Sequence, residues 1–151
     1  MTMRRLRTLL RDARGSMAIE TAIVAPVLAM LSIGGFEVSA IVARQTELQS
    51  AASEAEGIAL AAKPDSAAKL QTLKNVIMAS TGLDTANVTV TNTYRCGDST
   101  LLVASETSCA AGEIAWTYVQ IQMTDSYTPT WQSWGLGSTI NYNITRRVMV
   151  G

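Results

Sequence analysis

One stretch limits what this chain can fold into. From Met17 to Ala43 the sequence is apolar or small, and its only charges are Glu20 and Glu37. The uncharged core, Thr21 to Phe36, is 16 residues, about 24 Å at helical rise. That is short of a hydrocarbon layer about 30 Å thick. Extended to Met17–Ala43 the tract is 27 residues, about 40 Å, and both glutamates fall inside it near its ends. An ionisable group at the bilayer centre costs about 2.5–3.5 kcal/mol, so a carboxylate in such a segment calls for a functional reason. A buried core helix is the competing reading. It needs apolar mass to surround it, and aromatics are only 5% of the chain.

Charge separates along the sequence. Residues 1–15 hold five arginines (4, 5, 7, 11 and 14) against Asp12, a net of +4. The rest holds 12 − 5 = 7 basic and 12 − 1 = 11 acidic residues, a net of −4. A basic leader before an apolar segment is the positive-inside pattern, which keeps the N-terminus in the cytoplasm. Nucleic acid is not an expected partner, because the basic residues are few and no folded basic face follows them.

Inside the apolar tract, Pro26 removes a backbone donor and predicts a kink. Gly34 and Gly35 permit close approach of another helix. The helical pattern then continues beyond Arg44. Leu48, Ala52, Ala55, Ala59 and Ala62 recur every three or four residues, with Glu47, Gln49, Glu54 and Glu56 between them. This predicts one helix from about 16 to 62, ending at Lys63-Pro64 because the residue before proline avoids the α region. Asp65 or Ser66 can cap a second helix from Ala67 to about Ser80, with Leu70, Leu73 and Ile77 on one face and Gly82 as its stop.

Past Asp84 the period changes to two. Val88 and Val90 alternate with threonines. Trp116, Tyr118, Ile121 and Met123 occupy a second run, and Ile140, Tyr142 and Ile144 a third. Three such runs joined by Gly- and Ser-containing connections predict a small antiparallel sheet. The fold class expected is α+β: a long transmembrane and amphipathic helix, a short second helix and a small sheet. The expected divisions are a leader at 1–15, a membrane helix at 16–43, its amphipathic continuation at 44–62 and an exported α/β domain at 63–151.

Cys96 and Cys109 both lie in the exported part. In an oxidising compartment they close a 14-residue loop, stabilising by about 3 kcal/mol on the chain-entropy model. Trp131 and Trp134, three apart in a connection, either close the core over the sheet or form an exposed contact patch for a neighbouring subunit.

The chain contains no histidine, which removes the commonest acid–base group, metal ligand and partner of a serine or cysteine nucleophile. No G-x-S-x-G, H-E-x-x-H or C-x-x-C motif occurs, and the three lysines at 63, 69 and 74 fall in helical positions. No enzymatic activity, metal or cofactor is expected.

What remains is the junction. A glycine without a side chain, where the polar leader meets the apolar tract, suits a membrane protease that threads backbone into its site. Cleavage there puts Glu20 about one helical turn from a new ammonium, and in a packed bundle Glu20 can pair with the ammonium of an adjacent subunit. The run Gly15-Ser16-Met17-Ala18-Ile19-Glu20 resembles the type IV prepilin processing motif. The tract from Ala18 to Leu28, closed by Gly35-Phe36-Glu37, with the Ala/Glu/Gln helix after it, resembles the TadE-like pseudopilins of tight-adherence (Flp) pili. The resemblance covers about residues 11–62. It implies a minor pilin or pseudopilin, cut after Gly15 by a prepilin peptidase at the bacterial inner membrane. Such a protein makes a single pass, its C-terminal domain is extracytoplasmic, and it can enter the pilus. It primes or caps an adhesive pilus, with other pilins, the assembly platform and membrane lipid as partners. Thr21 stands where the major pilins of such systems usually carry an aromatic, and the chain is longer than theirs. Both departures favour the minor role. The alternative is a single-pass anchor with an uncleaved leader that displays a disulfide-stapled domain for a ligand or cell-wall component.

Overall fold

The computed structural model describes residues 13–151, with side chains from Met17 onward. Residues 1–12, where most of the expected leader and four of its five arginines fall, lie outside the described residues. The chain divides into two compact units, one ending at Ala40 and one running Ile41–Gly151. Helix α1 (Ala13–Ala62, 50 residues) contributes to both.

In the first unit α1 is apolar and mostly exposed, with Glu37 the buried exception near its end. Met17, Ile19, Ile23, Leu28, Leu31 and Phe36 are each more than half exposed. A helix apolar all round belongs in a core or a membrane, and among the described residues most of this segment is uncovered. It is long and apolar enough to cross a bilayer. Its hydroxyls are satisfied locally. Thr21, Ser32 and Ser39 each donate to the carbonyl four residues back, at 2.8 Å. A hydroxyl bonded within its own helix is a satisfied donor, which an apolar surrounding would require.

In the second unit the Ala-rich stripe of α1 becomes a packing face. Leu48, Ala52, Ala55 and Ala59 are buried, and Ala51 joins them, whereas Ala62 is exposed. The helix stops where Lys63 turns to φ 43° and donates its N–H to Ala59 O at 2.9 Å. A left-handed lysine costs roughly 1–2 kcal/mol, and Pro64 after it disfavours the right-handed alternative. Helix α2 (Ala67–Thr81) starts at Ser66, whose hydroxyl accepts from Lys69 N at 3.4 Å. It ends at Gly82, φ 69°, whose N–H bonds Met78 O. Both caps match the sequence expectation.

The sheet is antiparallel, ordered β2-β1-β3-β4, from β1 (Val88–Cys96), β2 (Leu102–Val103), β3 (Ala115–Tyr127) and β4 (Ile140–Met149). The two-residue β2 lies within the connection read as loop. Register divides the apolar residues of β3 between its two faces. Val119, Ile121 and Met123 form the buried face. Trp116 and Tyr118 differ from them in parity and lie on the opposite face, opposite Arg95 and Thr93. There Arg95 sits over the Tyr118 ring, 5.7 Å from its centroid. The core joins the α1 stripe, Leu73 and Ile77 of α2, Leu83, Val88, the β3 residues and Tyr142.

Candidate functional site

Two regions hold the residues with chemistry to offer. The first is the start of α1. The Gly15–Ser16 bond falls within α1, near its described start. Glycine lowers helix stability by about 1 kcal/mol relative to alanine. Side chains at 13–16 are outside the description. Glu20 is exposed and lines a shallow groove with Met17, Thr21, Val24, Ala25 and Leu28. Pro26 sits within α1, which continues through it. Its missing N–H cannot serve the carbonyl of Ala22. Among the described residues nothing comes within 4 Å of a Cβ built at Gly34 or Gly35, the helix's own nearby backbone aside. Glu37 is buried, 3% exposed.

The second region is where α1 enters the second unit, and the sequence reading did not identify it. Arg44 donates from Nε to Asp125 Oδ2 at 2.7 Å and from NH1 to Glu47 Oε2 at 2.9 Å and Thr81 O at 3.0 Å. The Tyr142 hydroxyl donates to Ile41 O at 3.1 Å. One arginine thus ties α1 to the end of α2 and to β3, while Tyr142 ties it to β4. Burial opposes the Arg44 charge, but the hydrogen bonds to Asp125 and Glu47 outweigh it and raise its pKa above the ordinary value. Burial, then the nearby Asp125 carboxylate, raises the Tyr142 pKa, and Arg44 offsets part of that. The available signal was slight: Arg44 is the only basic residue between Arg14 and Lys63.

The remaining expected residues are distributed along the sheet. Cys96 and Cys109 are disulfide-bonded, with Cα atoms 5.2 Å apart. Trp131 and Trp134 lie on a 3₁₀ turn, Thr130–Trp134. Trp131 is half-buried and Trp134 is 60% exposed, so Trp134 does not close the core.

A membrane-length helix that runs on as the packing face of a small α+β domain fits a membrane-anchored protein. Residues 15–55 match the family model described as TadE-like protein, so the resemblance holds over the helix that carries Gly15 and Glu20. No curated protein and no solved structure matches the chain.

Proposed function

We propose that this protein is a minor pseudopilin of a tight-adherence pilus. It is cut after Gly15 by a prepilin peptidase and takes part in priming or capping the filament. Before assembly it is held in the bacterial inner membrane by a single span with the N-terminus in the cytoplasm. The observation that carries this reading is the placement of Gly15 and Glu20 at the head of an exposed apolar helix, inside the TadE-like segment. Cleavage after Gly15 gives Ser16 a free ammonium. Glu20 stands four residues further on and faces outward. In hydrocarbon its carboxylate is stabilised by the ammonium of an adjacent subunit, and an unpaired subunit is penalised. The pair therefore sets axial register. Gly34 and Gly35 leave room for the helix of that neighbour. The other pilins and the assembly platform are the partners this requires.

Mass spectrometry of the membrane-extracted protein tests the cut. With the peptidase present the mature chain should begin at Ser16, and a chain retaining the leader overturns the reading. Glu20→Ala should still be cut but should not support piliation. Normal piliation in that variant would remove the register role and leave processing intact.

A further inference from the structure

We propose that the β3–β4 connection is a membrane-contacting loop, which inserts Trp134 and Leu136 into the interfacial layer of the bilayer spanned by α1. This rests on the membrane-anchored reading above. Three observations carry it.

The first is placement, which two contacts within the second unit fix. Asn92 Nδ2 donates to Pro64 O at 3.1 Å, just past the C-terminal end of α1, and Asn92 pairs with Val119 on β3. Six residues along the same strand, Asp125 bonds Arg44, and Tyr142 opposite it bonds Ile41. So β3 runs back along α1, from the level of Pro64 to the level of Arg44, over about 20 Å. The loop after Tyr127 therefore lies at the Ile41 end of the second unit, not at its Pro64 end. Ile41 is joined directly to the apolar segment of α1, so chain connectivity alone keeps this loop within reach of the bilayer surface.

The second is composition. No Asp, Glu, Lys or Arg occurs from Ser126 to Thr145. Trp134 is 60% and Leu136 62% exposed. Leu101 and Ile114 are exposed as well, but their loop carries Asp98, Glu106 and Glu113 and lies at the other end of the sheet. Tryptophan favours the membrane–water boundary, where its ring is in the apolar layer and its N–H is hydrated. An uncharged loop also avoids the cost of bringing ionised groups to that layer.

The third is that the loop is built to present these side chains. Pro129 is fully buried at its start. Gly135, φ 75°, donates to Gln132 O at 2.9 Å, and Leu136 N donates to Trp131 O at 3.3 Å. Gly137, φ 73°, lies so close to Trp131 that a Cβ there would be 3.1 Å from Nε1. Trp131 is therefore packed inward against the turn, and Trp134 and Leu136 are left on the outside.

The test is fluorescence quenching of the full chain in phosphatidylcholine vesicles. A bimane label is placed by Leu136→Cys, an exposed site, the native cysteines being bonded to each other. Phe36→Cys, 75% exposed in the apolar segment, reports the span itself. Lipid brominated in the upper acyl chain should quench the label at Leu136, brominated acyl chains should quench it at Phe36, and neither should respond to salt. Quenching at Phe36 with the Leu136 label quenched only by aqueous iodide overturns the loop inference and leaves the span. A Leu136 label shielded from both quenchers overturns it in favour of a protein partner. A Phe36 label quenched by iodide and by no brominated lipid overturns the span and the loop together. Trp134 emission in a Trp116→Phe/Trp131→Phe chain gives a second readout free of the label, with the same assignment of outcomes.

Discussion

Arg44 shows how much of this domain's geometry depends on one side chain. It bonds Asp125 from 81 residues away, and the Thr81 carbonyl from 37. Both members of the Arg44–Asp125 pair are about three-quarters buried, with side-chain exposures of 25% and 21%. Solvent still screens such a pair in part, so its loss should cost less than that of a fully buried one. Asp125→Asn should lower unfolding stability by about 1–3 kcal/mol, the range for a charged hydrogen bond in partial burial. Chemical denaturation of the detergent-solubilised chain measures it. Tyr142 adds a pH dependence. Its pKa is raised in the folded state by burial and by Asp125, so folding favours the neutral phenol. The associated stability is complete below the unfolded pKa of about 10 and is lost as pH rises beyond it toward the folded value. Tyr142→Phe should cost about 1 kcal/mol at neutral pH for the lost bond to Ile41 O. It should also flatten the decline of the unfolding midpoint at alkaline pH. An unchanged alkaline decline in Tyr142→Phe would show that another group drives it. None of these contacts could be read in the sequence, because nothing local links Arg44 to Asp125 or Tyr142 to Ile41.

At the scale of elements, legibility followed the range of the determining interaction. The caps of α2 are set within four residues, and Ser66 and Gly82 mark them plainly. The α1 stripe is periodic, so Leu48, Ala52, Ala55 and Ala59 announce a buried face. The face of β3 was harder. Trp116 and Tyr118 carry more apolar surface than Val119, yet Val119, Ile121 and Met123 point inward, because register with β1 and β4 decides which parity faces α1. β2 has two residues and exists only by pairing Leu102 and Val103 with Arg95 and Tyr94, so no periodicity could reveal it. The small residues of the α1 stripe also make a prediction. Ala52, Ala55 and Ala59 are all at most 1% exposed, and alanine at each lets helix and sheet close to contact. Ala55→Leu adds side-chain volume at a fully buried position, and overpacking of this kind costs about 1–3 kcal/mol. Leucine at exposed Gln49, one helical face away, should be nearly neutral. Equal midpoints for the two variants would mean that the stripe is not a tight interface.

At the scale of the whole molecule, the disulfide bears on where the second unit folds. Cys96 ends β1, and Cys109 follows the 3₁₀ turn at Glu106–Ser108. The bond fastens a loop containing β2 to the sheet end remote from Arg44. That loop is weakly held otherwise, since Leu101 and Ile114 are exposed and β2 offers two paired residues. Closing it should stabilise the fold by about 3 kcal/mol by restricting the unfolded chain. The α1 stripe and the β3 core lie outside the loop. Cys96→Ser/Cys109→Ser should therefore lower the denaturation midpoint by that order without changing the fold. Hydrogen exchange should speed up across 97–114, while Val119, Ile121 and Met123 retain their relative protection. The same pair reports on compartment. A chain whose leader stays in the cytoplasm while its sheet is exported forms this bond oxidatively, so both thiols should resist alkylation in intact cells until a reductant is added. Prompt labelling of Cys96 and Cys109 without reductant would place the second unit in a reducing compartment, and the single-span orientation would have to be abandoned along with the pilus role built on it.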